Sequence, residues 1–172
     1  MLSILWSAMM AAAPVQVAVP AASPTASCPS GSTVLPAGLS CWARSVPLAA
    51  GVSAGDAPAL PIGSGVRATL VATSTLRLAL ASGKAGTPAG FGGVFTLSVT
   101  TRGRYRIALG SGAWIDVVAG DRIVASATHG HGPACSPIRK MVDFDLAPGR
   151  YQVQFTGSKT ATLSLMAARV AS

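Results

Sequence analysis

One short pattern occurs twice in this sequence, and the repeat limits the fold more than any other feature. The first copy begins at Gly103 with Gly-Arg-Tyr-Arg-Ile-Ala-Leu, and the second begins at Gly149 with Gly-Arg-Tyr-Gln-Val-Gln-Phe. In both copies large apolar residues alternate with polar or small residues, which is the period of a β-strand that buries one face. The repeat therefore predicts two half-buried strands whose tyrosines point inward.

Other segments show the same alternation between turn residues, at a spacing of about ten residues. The clearest is the segment in which Phe95, Leu97 and Val99 alternate with threonine and serine. Strands are also predicted at residues 42–48, 66–72, 75–81, 113–118, 122–128, 138–146 and 161–168. We expect the strands between the two copies to form an antiparallel meander.

Composition favours strands over helices. The chain of 172 residues contains 19 Gly and 12 Pro but no Glu, and such material suits strands and turns. The length is that of one domain. We therefore predict an all-β fold, an antiparallel β-sandwich or jelly roll of about eight or nine strands that follows an N-terminal signal segment.

The turn before the second copy, Ala147-Pro148-Gly149-Arg150, leads directly into Tyr151. A buried ring at this position, with its hydroxyl group bonded to the backbone, is the arrangement known as a tyrosine corner. We expect Tyr151 to hold the corner in this way.

The first 43 residues contain no charged side chain. Residues 2–13 form a mainly apolar run that is too short to cross a bilayer, which takes about 20 residues. Small residues and prolines follow, as after a secretory signal peptide, although no Lys or Arg precedes the run. We expect cleavage near residue 21 or residue 27 and export to the periplasm or the medium. An integral membrane protein is not expected.

This reading divides the chain into three parts. Residues 1–27 are the expected signal peptide and linker, and residues 28–65 form an N-terminal arm rich in Pro, Ser, Ala and Gly in its first part. Residues 66–172 form the β-sandwich, which the strand at 42–48 is able to join.

The chain contains three cysteines, Cys28, Cys41 and Cys135. In an exported protein three cysteines indicate one disulfide and one remaining thiol. Cys28 with Cys41 closes a short loop, whereas either of them with Cys135 ties the N-terminal arm to the central loop. The residues leave all three pairings open. Cleavage before Cys28 also permits a lipoprotein, although Thr25 stands where such sites usually have Leu.

The charge balance is strongly positive, with 13 Lys and Arg against five acidic residues. Arg102, Arg104 and Arg106 are predicted to line one outward strand face, and Arg139 and Lys140 complete the predicted interaction surface. A basic surface suits anionic lipid, acidic polysaccharide or nucleic acid. Nucleic acid is not expected, because the tyrosines of both copies point inward and offer no base a stacking surface.

A glycine-rich loop contains both histidines. His129, His131, Cys135 and Met141 lie within thirteen residues, and imidazole, thiolate and thioether are copper ligands. His129 and His131 are therefore candidate ligands for copper or iron. The simpler expectation, which we favour, is that the histidines bond to backbone carbonyls and that the protein holds no cofactor.

The sequence contains no arrangement typical of catalysis. Ser111 or Ser126 with a histidine and Asp116 would need a Gly-x-Ser-x-Gly turn between strand and helix, which is missing. Asp143 and Asp145 share a strand face, but two solvated carboxylates beside the basic residues of the loop are expected rather than an acid/base pair.

Trp114 begins a segment with apolar residues in both phases of the alternation. Such a segment is typical of a strand buried on both sides. We therefore expect the Trp114 indole to lie in the core rather than to serve as a sugar-stacking surface.

Two resemblances are carried by particular segments. Ala-Pro-Gly-Arg-Tyr at residues 147–151, with the preceding Val-Asp-Phe-Asp-Leu, resembles small β-sandwich domains at the C-termini of secreted bacterial peptidases. A closer resemblance lies in Ser-Gly-Ala-Trp-Ile-Asp-Val-Val at residues 111–118 and His-Gly-His-Gly-Pro-Ala-Cys-Ser-Pro-Ile-Arg-Lys-Met-Val-Asp-Phe at residues 129–144. These blocks resemble small exported proteins of sphingomonad-type bacteria, many of which are called homogentisate 1,2-dioxygenase.

That name implies an iron enzyme that holds its metal with two His and one Glu. This chain has no Glu, and its two histidines are one residue apart, so Asp116, Asp143 or Asp145 would have to complete the triad. Dioxygenase activity is therefore not predicted. In the same group a Cys-Pro near the mature N-terminus accompanies the Cys of the His-Gly-His-Gly loop, and this implies a disulfide between Cys28 and Cys135.

These observations predict an exported, non-catalytic β-sandwich that serves as an accessory or binding module of the cell envelope. Its expected partner is an anionic envelope component or another envelope protein. A metal-binding protein that uses His129 and His131 is the alternative.

Overall fold

The computed structural model describes Cys28, residues 34–82 and residues 89–170. This part of the chain contains eleven β-strands and one short 3₁₀-helix at Thr73–Thr75. The strands are β1 (Ser45–Ala49), β2 (Gly65–Thr69), β3 (Val71–Ala72), β4 (Phe91–Val99), β5 (Gly103–Leu109), β6 (Trp114–Ala119), β7 (Arg122–Ile123), β8 (Thr128–Gly130), β9 (Lys140–Leu146), β10 (Gly149–Ser158) and β11 (Thr162–Val170). None of the described helical structure is long and apolar enough to cross a membrane.

The strands form two sheets that enclose one main core, so the predicted β-sandwich is confirmed. The larger sheet has the order β1-β2-β11-β5-β9-β8, and the smaller has the order β3-β4-β10-β6-β7. All named pairs are antiparallel except β1 with β2. The strands in excess of the expected eight or nine are β3 and β7, which have two residues each.

The predicted meander between the two copies is wrong. The chain passes from β4 in the smaller sheet to β5 in the larger and back to β6, and it later passes from β9 in the larger sheet to β10 and back to β11. Each of these strands has one apolar face, and a change of sheet at each turn lets consecutive strands bury those faces against each other. Among these six strands, neighbours within a sheet are therefore distant in sequence.

The two copies of the repeat belong to two similar units, β4-β5-β6 and β9-β10-β11. The middle strand of each unit lies between the outer strands of the other, because β10 lies between β4 and β6 while β5 lies between β9 and β11. The units are thus related by an approximate two-fold axis. Equivalent residues of the two copies occupy equivalent positions in opposite sheets.

The tyrosine of each copy holds a corner at the start of its strand. The Tyr151 hydroxyl donates a hydrogen bond to the Ala147 carbonyl oxygen at 2.9 Å, and the Tyr105 hydroxyl donates to the Thr101 carbonyl oxygen at 2.7 Å. Both rings are buried. The predicted tyrosine corner at Tyr151 is confirmed, and the first copy repeats it.

A second, smaller core lies on the outer face of the larger sheet. Leu39 and Trp42 from the N-terminal arm pack there with Ile138 and with Met166 of β11. The sequence predicted a strand from Trp42, but Trp42 lies in a turn that covers the sheet, and β1 begins at Ser45. The arm is therefore attached to the sandwich by apolar packing as well as by strand pairing.

A disulfide joins Cys28 to Cys135, with the two Cα atoms 5.4 Å apart. This confirms the pairing that the resemblance implied, and it leaves Cys41 as the thiol among the described cysteines. While the Cys28 sulfur is bonded to Cys135 it is not available to carry a lipid, and the lipoprotein alternative stays a prediction. The expected signal peptide, residues 1–27, lies outside the described residues.

Two further predicted strands differ from the structure. The segment 122–128 contains β7, and only its last residue belongs to β8. The segment 75–81 is not a strand, although Leu76, Leu78 and Leu80 are less exposed than the residues between them, as the alternation predicted. Within the described residues its backbone bonds to no named strand: the Arg77 N–H donates a hydrogen bond to the Val52 carbonyl oxygen, and Ala79 and Leu80 bond to the side chain of Gln154.

Candidate functional site

Two adjoining clefts open beside β6, β9 and the glycine-rich loop. The first, the Trp114 cleft, has a volume of about 460 Å³ and is bordered by Trp114 and Lys159. The second, the histidine-loop cleft, has a volume of about 680 Å³ and is bordered by both histidines and Arg139. Gly112 and Lys140 line both clefts, which therefore form one continuous surface.

Trp114 forms a wall of the first cleft. It is the first residue of β6 and is 36% exposed, while the next residue, Ile115, points into the core. The indole Nε1 donates a hydrogen bond to Asp116 Oδ1 at 3.0 Å. Asp116 is buried, and its other oxygen accepts a hydrogen bond from the Ser82 hydroxyl at 2.9 Å. The indole is thus held in one orientation by a buried carboxylate.

The prediction that Trp114 lies in the core is wrong. Asp116 and Val118, which share its strand face, are buried as expected. Trp114 is the first residue of its strand, and its indole is 36% exposed. Exposure at a strand end depends on what packs above the strand, and periodicity does not report that.

Lys140 lies between the two clefts. Its Nζ is 5.1 Å from the centroid of the Trp114 ring and donates a hydrogen bond to the Ala113 carbonyl oxygen at 2.8 Å. An ammonium group over an indole face is attracted by the π electrons, which adds about 0.5–2 kcal/mol depending on exposure. This contact keeps a positive charge at the junction of the clefts.

The histidine loop folds back on itself. A side chain at Gly132 would overlap with the Ile138 carbonyl oxygen, so the close approach requires glycine. His131 Nδ1 is 2.9 Å from the Arg139 carbonyl oxygen. Because a carbonyl only accepts, Nδ1 carries the hydrogen in this contact, and in the neutral ring Nε2 then keeps its lone pair. His129 is exposed on β8.

The other candidate metal ligands are not available in this loop. Cys135 is bonded to Cys28 and has no thiolate to offer, and Met141 packs against the second core. Within the described ranges no three side chains from His, Cys, Asp and Glu come together as a metal site would need. Among the described residues of this loop, the imidazoles of His129 and His131 are therefore the remaining candidate metal ligands.

The structure divides the predicted basic surface. Arg104 and Lys140 lie near opposite ends of the β5–β9 pair, because Arg104 is opposite Asp145 while Lys140 is opposite Leu109. Five residues along a strand correspond to about 17 Å. Arg102 is exposed at the same end as Arg104. Only Arg139 and Lys140 of the predicted surface line the clefts.

Arg104 and Arg106 are neutralised by the aspartates of β9. Arg106 makes two hydrogen bonds to Asp143, at 2.8 and 2.9 Å, and Arg104 makes two to Asp145, at 2.9 and 3.0 Å. The hydrogen bonds from Arg106 hold the pKa of Asp143 below its usual value. The expectation of two solvated aspartates is wrong for Asp143, which is 4% exposed.

Lys159 is the cleft residue that the sequence analysis missed. It follows Gly157 and Ser158 at the end of the second copy, and Ser111 and Gly112 follow the first copy in the same way. Residues from both turns line the Trp114 cleft, at the opposite end of the strands from the tyrosine corners. The repeat was the signal that could have predicted this position. The turns that follow the two copies are equivalent, and they meet because the two units cross.

No known protein-family model matches this chain, and no curated protein matches it. Its function therefore has to be inferred from the site itself.

Proposed function

We propose that this protein is an exported, non-catalytic binding module of the cell envelope that binds an anionic polysaccharide in the joined clefts. The observation that carries the proposal is the composition of their lining. Arg139, Lys140 and Lys159 contribute three cationic side chains, both histidines lie beside them, and none of the residues that line the clefts is acidic. A concave surface of one charge sign attracts ligands of the opposite sign.

A saccharide suits the clefts better than a nucleic acid does. Trp114 presents a partly exposed indole whose orientation is held by Asp116, and aromatic rings of this kind stack on sugar rings. Nucleic acids are held by several exposed aromatic side chains along a basic groove. In the described part of the chain Trp114 is the one aromatic among the large hydrophobic residues that are exposed, and both tyrosines are buried.

Two features support export. The disulfide between Cys28 and Cys135 suits an oxidising compartment outside the cytoplasm. The apolar run at residues 2–13, which small residues and prolines follow, is typical of a signal peptide, although no Lys or Arg precedes it. The periplasm and the cell exterior both contain anionic polysaccharides that such a module would meet.

Dextran sulfate and neutral dextran share a backbone, so their comparison tests the proposal. We expect dextran sulfate to bind and dextran not to bind in isothermal titration calorimetry at moderate salt. The double variant K140Q/K159Q should weaken binding by at least about tenfold, since each lost charge-assisted contact costs about 1.5–3 kcal/mol.

The control variant is R102Q/R122Q, which removes the same charge from exposed residues outside the clefts. It should weaken binding by no more than about twofold, as expected for long-range electrostatics screened by salt. Equal losses in the two double variants would show that net charge alone attracts the ligand, and the proposal would then fail. Binding to anionic lipid vesicles in place of dextran sulfate would point to a membrane surface instead.

Copper or iron binding by His129 and His131 is the second candidate function. It is favoured by the contact between His131 Nδ1 and the Arg139 carbonyl oxygen, because metal-binding imidazoles usually donate their other nitrogen in this way. Stoichiometric metal in protein purified without a histidine tag, lost in H129N/H131N, would establish it. Oxygen uptake with homogentisate and ferrous iron would test the dioxygenase activity.

A further inference from the structure

The two-fold relation between the units allows the outer faces of the two sheets to be compared position by position. In the larger sheet Arg104 lies opposite Asp145, and Arg106 lies opposite Asp143. The equivalent pairs of the smaller sheet are Arg150 opposite Ser98, and Gln152 opposite Thr96. The second copy thus retains an arginine at the first position, but the strand opposite it has a carboxylate at neither position.

Arg150 consequently has a weaker partner than Arg104 has. Its Nη2 is 3.4 Å from the Thr96 hydroxyl oxygen, which is at the limit of a hydrogen bond. Within the described ranges the ion pairs are those of Arg104 and Arg106, and Arg150 has none. A guanidinium group forms two parallel hydrogen bonds with a carboxylate, as Arg104 does with Asp145. Arg150 makes no such pair of hydrogen bonds with a carboxylate of the described residues.

The side-chain oxygen of Gln152, two residues further along β10, lacks a hydrogen-bond partner in the described structure. This atom, Oε1, is buried. Leaving a buried polar atom without a partner costs about 1–3 kcal/mol. Buried acceptors of this kind are uncommon in proteins. The Gln152 residue itself lines a cleft, although Oε1 is covered.

Both side chains line one cleft, which we call the Arg150 cleft. It has a volume of about 520 Å³, and its lining also includes Thr96, Val118 and Gly120 but no acidic residue. Gln152 and Thr156, which lines the Trp114 cleft, are four residues apart on β10, or about 13 Å. The Arg150 cleft is therefore separate from the clefts of the proposed function.

We propose that the Arg150 cleft binds a carboxylate that carries a hydroxyl group a few bonds away, as in a uronic acid. The carboxylate would pair with the Arg150 guanidinium, as Asp145 does with Arg104. The hydroxyl would donate its hydrogen to Gln152 Oε1, once the Gln152 amide has turned to bring this covered atom into the cleft. Positions two apart on one strand face are separated by about 7 Å, a span that one acidic sugar unit bridges.

Glucuronate and glucose are the matched probes, because they differ only in one group, a carboxylate in glucuronate and a hydroxymethyl group in glucose. We expect glucuronate to shift the amide NMR signals of β10 around Arg150 and Gln152, and glucose not to shift them. R150Q should weaken glucuronate binding at least about tenfold, the loss expected for one charge-assisted contact. R104Q removes the same charge from the equivalent position of the other sheet and should leave binding unchanged.

A second variant supplies the missing carboxylate from the protein. Ser98 lies opposite Arg150 as Asp145 lies opposite Arg104, so S98D should pair with Arg150 and abolish glucuronate binding. S98N, which has the same size without the charge, should bind glucuronate like the wild type. Loss of binding in both variants would indicate a steric effect and would contradict the proposal.

Gln152 provides a readout that a purely structural role would not give. Q152L removes a buried acceptor that has no partner, so the protein should be as stable as the wild type or more stable. Glucuronate binding should nevertheless weaken about tenfold. A fall in stability with unchanged binding would show that Gln152 serves the fold.

A polymer of acidic sugars distinguishes the two possible sources of the carboxylate, a polysaccharide and a free sugar acid. Tighter binding of tetragalacturonate than of galacturonate indicates an acidic polysaccharide, and equal binding indicates a free sugar acid. K140Q/K159Q should leave the glucuronate signals unchanged, which separates this site from the proposed function. Identical responses to glucose and glucuronate, or an unchanged dissociation constant in R150Q, would overturn the inference.

Discussion

At the scale of single residues, charge pairing across β5 and β9 decides which arginines remain available to ligands. Asp143 is 4% exposed and accepts hydrogen bonds from Arg106 and from the Thr128 hydroxyl. Asp145 makes an equivalent pair with Arg104 but is largely exposed. The two pairs have the same chemistry in different surroundings, so their contributions to stability should differ.

We expect D143N to lower the free energy of unfolding by about 1–3 kcal/mol, because it leaves the Arg106 guanidinium partly buried without its counter-ion. D145N should change stability far less, since an exposed ion pair is screened by water and salt. Urea denaturation at neutral pH measures both. Equal effects in the two variants would contradict this account.

The same pair should govern the response to acid. The hydrogen bonds from Arg106 lower the pKa of Asp143 in the folded state, so its stabilising effect is complete above the unfolded pKa of about 4. It is lost as the pH falls further, through the folded pKa. Wild-type stability should therefore decrease below about pH 4, and D143N should show a shallower decrease.

At the scale of elements, the segment 75–81 shows how a side chain can replace a strand. Gln154 is fully buried on the outer face of β10. The Ala79 N–H donates a hydrogen bond to its Oε1 at 2.9 Å, and its Nε2 donates to the Leu80 carbonyl oxygen at 3.2 Å. One amide group thus holds this end of the segment over the smaller sheet, while the Arg77 N–H donates a further hydrogen bond to the Val52 carbonyl oxygen.

Q154L replaces the Gln154 amide with an apolar side chain of similar size, so both of these hydrogen bonds are lost. We expect the Ala79 amide to exchange with solvent at least about tenfold faster, the effect of losing about 1.4 kcal/mol of local protection. Hydrogen exchange followed by NMR measures this. Amides of β5 in the other sheet are the internal control and should keep their protection, and unchanged exchange at Ala79 would show that other contacts hold the segment.

At the scale of the whole molecule, one covalent bond connects the N-terminal arm to the loop before β9. The disulfide between Cys28 and Cys135 spans 107 residues. Closing a loop of this length reduces the entropy of the unfolded chain and stabilises the fold by up to about 4–5 kcal/mol in the chain-entropy model. The apolar packing of Trp42 and Leu39 on the larger sheet adds a second attachment.

We expect C28S/C135S to lower the free energy of unfolding by about 3–4 kcal/mol, the usual range for a bond that closes a long loop. C41S changes a cysteine outside the disulfide and should have little effect. Thermal and urea unfolding under oxidising conditions measure both. A large effect of C41S, or none of C28S/C135S, would show that the pairing contributes differently in solution.

Local information was enough to predict most of the longer strands and the orientation of their apolar faces. The alternation around Tyr105 and Tyr151, and the turn before each, depend only on adjacent residues, so the two inward tyrosines and the corner at Tyr151 followed from the sequence. The strand prediction at 75–81 was wrong because alternation indicates only that one side of the chain is covered. It does not indicate which groups provide the backbone hydrogen bonds.

Contacts between distant residues were decided by the tertiary structure. Whether Arg104 meets Asp145, or Arg150 meets Ser98, depends on sheet order and register, which no single segment encodes. The same is true of the exposed indole of Trp114 and of the two turns that meet at Lys159. The sequence by itself determined a β-sandwich with a repeated strand. The crossing of the two units determined which charges are paired and which face a cleft, because pairing requires residues 37 and 41 positions apart to lie side by side.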